Sequence, residues 1–137
     1  ILTGEDKQAL AAEMQRIGEA DGVAFFVRDA ENMRRAGAVV LIGTRLKTLG
    51  LPSCGFCGYK DCAEAEKHGG ICAFNPGDLG IAVGSAASVA AERRVDNRIF
   101  FSAGRAAVNL KLLGEEVRIA YGIPLSVSAK SPFFDRK

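Results

Sequence analysis

Residues 76–91 read Pro76-Gly77-Asp78-Leu79-Gly80-Ile81-Ala82-Val83-Gly84-Ser85-Ala86-Ala87-Ser88-Val89-Ala90-Ala91. Asn75 can cap a helix here, Pro76 suits its first position and Asp78 its third. A long helix reaching about Arg93 is expected. Its composition is unusual. A glycine inside a helix costs about 1 kcal/mol relative to alanine, so Gly80 and Gly84 need a reason. Small side chains let another backbone, or a flat cofactor, come close. Tight packing in a core or a dimer interface is the plainer explanation.

Just upstream lie all four cysteines of the chain: Cys54, Cys57, Cys62 and Cys72, spaced C-x2-C-x4-C-x9-C. Three chemistries compete for them. Four thiolates from one short segment are what an iron–sulfur cubane needs. Gly55 and Gly58 allow backbone N–H groups to turn toward sulfur, and Phe56 and Tyr59 can shield the loop from water. A structural zinc would also take four cysteines, although such sites usually show two separate C-x2-C knuckles and only one is present. Disulfides would need an oxidising compartment, which nothing in the sequence indicates. A short helix over residues 60–67, stopped by Gly69-Gly70, puts Cys62 in a first turn, where a thiolate is favoured. Lone His68 beside this helix could tune a cluster or supply a proton; a solvated loop histidine is the simpler reading.

Further out, Thr3 is expected to cap a helix over residues 4–18, with Asp6 as its box partner and Leu10, Met14 and Ile17 on one buried stripe. Residues 23–28 read as a strand, 29–35 as a helical turn, 38–42 as a buried strand and 44–49 as another helical turn. After the glycine-rich helix come a strand at 98–101 and a helix capped by Ser102 and running through Leu113, with Gly114 beyond it. A last strand at 117–121 ends in Gly122-Ile123-Pro124. The tail from Leu125 has no periodicity.

The whole chain has 137 residues, 48% apolar and 25% charged, with net charge +2. This fits one α+β domain over residues 1–137 rather than a disordered chain. No apolar stretch is long enough for a membrane span, and no secretory signal is recognisable. The charge is uneven: residues 1–92 carry a net −3 and residues 93–137 a net +5. No basic run interleaved with aromatics points to nucleic acid. No carboxylate pair, Ser/His/Asp set or phosphate-cradling loop supports hydrolase or transferase chemistry.

Cys54-Gly55-Phe56-Cys57-Gly58-Tyr59-Lys60-Asp61-Cys62 resembles the CGxCGxxxC signature of small four-iron domains in electron-transport subunits and in the corrinoid iron–sulfur protein. Over nearly its whole length the chain resembles an uncharacterised ferredoxin-domain family of archaea and anaerobic bacteria. That likeness rests on the cysteine block, Asp78-Leu79-Gly80-Ile81-Ala82-Val83-Gly84-Ser85-Ala86, Asp96-Asn97-Arg98, Gly122-Ile123-Pro124-Leu125-Ser126 and Phe133-Phe134-Asp135-Arg136. Element order is also similar to flavin-dependent nitroreductases. That similarity implies an α/β/α sandwich, with residues 51–76 as a cysteine-rich insertion before the central helix. It also implies a homodimer packed through that helix.

Three functions remain in view. The first is a cytoplasmic electron carrier whose [4Fe–4S] cluster is held by Cys54, Cys57, Cys62 and Cys72. It would serve a redox partner protein or a small-molecule acceptor, with neither nucleic acid nor membrane involved. The second is an oxidoreductase that adds FMN near Gly84, Ser85 and Gly122, with Lys130 or Arg136 on the phosphate. The third is a non-enzymatic module stapled by zinc or iron–sulfur at the cysteines.

Overall fold

The computed structural model describes residues 1–134. Helices α1 (Gly4–Asp21) and α2 (Ala24–Arg35) lead into strand β1 (Ala38–Arg45). Then come α3 (Cys62–Lys67), α4 (Phe74–Glu92), β2 (Asp96–Asn97), α5 (Phe101–Asn109) and β3 (Val117–Ser126). The three strands form one antiparallel sheet in the order β1-β3-β2. Side chains alternate between its faces. Val39 joins Leu10, Met14, Phe26, Met33 and Phe100 in a core beneath α1, α2 and α5. Ile123, with Val40, Ile42 and Tyr121, packs beneath Leu79 and Val83 of α4. Helices therefore lie on both sides of a small sheet, an α+β arrangement. No helix among the described residues is long and apolar enough to cross a membrane.

Two glycines allow α5 to lie directly on β3. A Cβ on Gly104 would come within 1.7 Å of the Ala120 carbonyl oxygen. One on Gly122 would come within 2.5 Å of the Ala103 Cβ. The backbones are in contact because neither residue has a side chain.

Several elements differ from the sequence expectation. Residues 23–28 open helix α2 instead of forming a strand. Phe26, Ala30 and Met33 recur at i, i+4 and i+7 and are all buried, so tertiary burial of a helical stripe overrode the local preference of Val and Phe for strands. Thr44 and Arg45 continue β1 by pairing with Ile119 and Val117, and residues 46–50 have no regular structure. The strand expected at 98–101 is reduced to β2 and a single bridge, Phe100 to Gly122.

β3 does not stop at Tyr121 but runs through Pro124, although it is the central strand. Proline is tolerated because of where its missing N–H would point. Gly122 exchanges both backbone bonds with Phe100, so by alternation residue 124 also faces the β2 side. There it faces Arg98, in the gap between that bridge and β2, where the ladder is interrupted.

The caps agree in part. Thr3 occupies the N-cap position of α1 as expected, but its side chain makes no capping bond. α5 begins at Phe101 and ends at Asn109, short of Leu113. Ser102 is its second residue and donates to Asp29 at 2.7 Å instead of capping.

Candidate metal centre

Between β1 and α4 the chain forms a loop that local hydrogen bonds tie down at several points. Asp61 caps α3: its side chain accepts from the Glu64 backbone N–H at 2.8 Å. Glu64 reaches back to accept from the Lys60 N–H at 2.7 Å. This reciprocal box fixes Cys62 as the first residue of α3. The Cys62 N–H donates to the Leu51 carbonyl at 3.2 Å, which closes the loop. Within it, Gly58 N–H donates to the Gly55 carbonyl at 3.0 Å. Both glycines have positive φ, 69° at Gly55 and 87° at Gly58, and they turn the chain around Cys57.

The sequence suggested that Asn75 caps α4. The helix starts one residue earlier, and Asn75 instead clamps the segment after β1. Its side chain accepts from the Lys47 N–H at 2.9 Å and donates to the Lys47 carbonyl at 3.0 Å. Thr48 donates to Glu66 of α3. These two contacts hold Leu49 and Leu51 against the cysteine loop. Sequence reasoning missed them, since an asparagine beside a proline reads as a cap.

All four cysteines line one small cavity of about 10 Å³, together with Leu49, Leu51, Phe56 and Phe74. Cys62 and Cys72 are buried, Cys57 is half-buried and Cys54 is exposed; none is in a disulfide. Phe56 is 76% exposed and approaches Phe74, with ring centres 5.6 Å apart. Tyr59 does not line the cavity. Its ring fills the space beside Gly70, where a Cβ would lie 2.4 Å away, and stacks on exposed His68.

A tetrahedral zinc draws four sulfurs to about 2.3 Å of one point. Among the described residues, no group of three His, Cys, Asp or Glu is placed to hold a metal ion. In a four-iron cube each thiolate takes a different iron, so its sulfurs stand further apart. Four thiols beside an apolar wall are a donor set that fits the ligation of an iron–sulfur cluster.

The sequence model of a family described as "Uncharacterized protein containing a ferredoxin domain" matches residues 68–136, half of the chain. An "Uncharacterized protein" of Archaeoglobus fulgidus is 40% identical over 144 aligned residues, covering 98% of this chain and 76% of the relative. The chain belongs to this ferredoxin-domain family. A ferredoxin domain is an iron–sulfur, electron-transferring unit, and that is the role the family description carries in outline. The matched segment includes Cys72 but not the other three cysteines. No solved structure matches, so the likeness to nitroreductases rests on element order alone.

Of the residues expected around a flavin, Gly84 and Ser85 lie on one side of the sheet and Gly122 opens to the other. Ser85 is exposed and Gly84 half-buried on α4, which covers one face of the sheet. Gly122 turns to Ala103 beneath the other face; its missing side chain serves backbone packing. Lys130 is exposed, and its carbonyl accepts from the Ser128 hydroxyl at 2.6 Å. Arg136 lies outside the described residues. Two family motifs do meet: Arg98 donates to the Phe133 carbonyl at 3.0 Å and lies over the Phe134 ring, 5.1 Å from its centre. Phe133 is buried edge-on to Phe100. Arg98 thus anchors the tail as a structural strap.

Proposed function

We propose that this chain is a one-electron carrier whose four cysteines, Cys54, Cys57, Cys62 and Cys72, hold a [4Fe–4S] cluster. The observation that carries this reading is the shared cavity: all four thiols line it, and the rest of its wall is largely apolar. Such a cluster, when bound, supplies single-electron exchange without proton transfer.

The chain's own residues divide the work. Cys62 and Cys72 hold the buried side. Leu49 and Leu51 give the site an apolar but partly exposed wall, and solvent access is one of the factors that set a cluster's potential. Cys54 and Phe56 form the exposed edge. That edge is where a redox partner protein or a small acceptor would approach, since it brings a ligand sulfur to the surface.

Purification without oxygen tests this directly. The expected product is brown, with about four iron and four sulfide per chain. Cys57→Ala should lose the colour and most of the iron. Stoichiometric zinc without sulfide in the wild type, or unchanged iron in Cys57→Ala, would refute the assignment.

A further inference from the structure

Two buried cysteines sit at the starts of two helices. Cys62 opens α3, and Cys72 lies two residues before α4. α3 packs little on the other helices and strands, so the turn at residues 68–73 would by itself leave it free to swing. A strap restrains it. Residues 46–51 have no regular structure of their own, yet they are tied to the site at three points. Thr48 donates to Glu66, one turn along α3 from Cys62. The Leu51 carbonyl accepts from the Cys62 N–H at 3.2 Å. Asn75 holds the backbone of Lys47 by both its N–H and its carbonyl, while the Asn75 N–H donates to the Cys72 carbonyl at 3.0 Å. Each tie lands on a buried cysteine or within one helical turn of it. The Asn75 side chain has no second duty at the helix start, since α4 has no side-chain cap.

We propose that Asn75 is a positioning residue for the cluster site. By fastening the strap to the start of α4 it fixes Cys72 against Cys62 and keeps Leu49 and Leu51 in the cavity wall. The inference rests on the [4Fe–4S] reading of the four cysteines. Asparagine suits the task because its amide offers an acceptor and a donor side by side, the complement of a peptide N–H and C=O. Aspartate keeps the acceptor for the Lys47 N–H but sets a second acceptor against the Lys47 carbonyl. The strap then opens more often and admits water. Water favours the more highly charged, reduced form of an anionic cluster, which raises its potential. The grip is on the backbone of residue 47, so the lysine side chain takes no part.

The test compares the anaerobically purified whole chain with its Asn75→Asp, Thr48→Val and Lys47→Ala variants. Asn75→Asp should keep the helix content of wild type by circular dichroism and load iron and sulfide. It should then release iron to a chelator at least about fivefold faster, the factor that one net hydrogen bond carries. Its reduction potential should move upward. Amide exchange should quicken over residues 46–51 while α1 and α2 keep their protection. Thr48→Val cuts the tie to Glu66 and should shift the same readings in the same direction, which carries the test even if Asn75→Asp takes up no cluster. Lys47→Ala should match wild type. A loaded Asn75→Asp or Thr48→Val with wild-type potential and iron release would overturn the proposal and leave the cluster reading standing. So would a Lys47→Ala that behaves like Asn75→Asp. A wild type without iron and sulfide would instead sink the cluster reading, and this proposal with it.

Discussion

Ser102→Ala should destabilise the chain by about 2 kcal/mol. Ser102 is fully buried and donates to Asp29 Oδ2 at 2.7 Å, joining α5 to α2. Asp29 is 5% exposed. Its other oxygen accepts from Arg28 Nε at 3.1 Å and Nη2 at 2.9 Å. Removing the hydroxyl leaves one oxygen of a buried carboxylate without its donor. A hydrogen bond to a charged group is worth roughly 1.5–3 kcal/mol net, and leaving such a group unsatisfied costs a similar amount. Asp29→Asn separates the two partners. It keeps an acceptor for Ser102 and loses the charge opposite Arg28, whose side chain is 50% exposed. That pair is worth less than about 1 kcal/mol. Asp29→Ala with Ser102→Ala should be less damaging than the sum of the single changes, because neither partner is left stranded. Urea unfolding of all four variants reads these differences. A Ser102→Ala loss below about 0.5 kcal/mol, or strict additivity in the double variant, would refute the reasoning.

Gly104→Ala should fail to accumulate as soluble protein or melt far below wild type, since its methyl would strike the Ala120 carbonyl within a backbone-to-backbone contact. Arg98→Ala should raise amide exchange at Phe133 and Phe134 while leaving α1 and α2 protected, which exchange followed by mass spectrometry can resolve. Glu13 gives a pH signature. Hydrogen bonding from Arg16 holds its carboxyl below the usual glutamate range, with Asn109 adding to the effect. Its stabilisation is therefore present above the unfolded value, 4.5, and is lost as pH falls through the lower folded one. Urea midpoints for Glu13→Gln should lie below wild type at neutral pH, and the difference should shrink on acidification below that range. A constant difference would contradict this.

The parts legible in the sequence were those with strong local chemistry. The stripe Leu10, Met14 and Ile17 marked α1, the cysteine spacing marked the candidate centre, and the glycine-rich run marked α4. The misreadings share a cause. Val23 to Arg28 suits a strand by composition, and only burial against α1 and α5 makes it a helix. Lys7 shows the same limit. It lies on the α1 stripe and is buried, because its ammonium donates to the Met33 and Arg34 carbonyls at the end of α2, at 3.3 and 2.8 Å. Burial pushes its pKa below the usual lysine value. Nothing around Lys7 in the sequence signals a partner more than twenty residues away. Gly122 shows the limit too: which face of β3 it opens to depends on a register that only the folded sheet defines.

The middle strand of the sheet is also the last one a ribosome would release. β1 waits for β3, and Ala38 can meet Leu125 only after the 86 residues between them have emerged. Phe133, which completes the main core, emerges later still. Such distant pairings make folding slow. Until β3 emerges the nascent chain therefore carries an unpaired, aggregation-prone β1 edge, and the whole sheet has to close in one event.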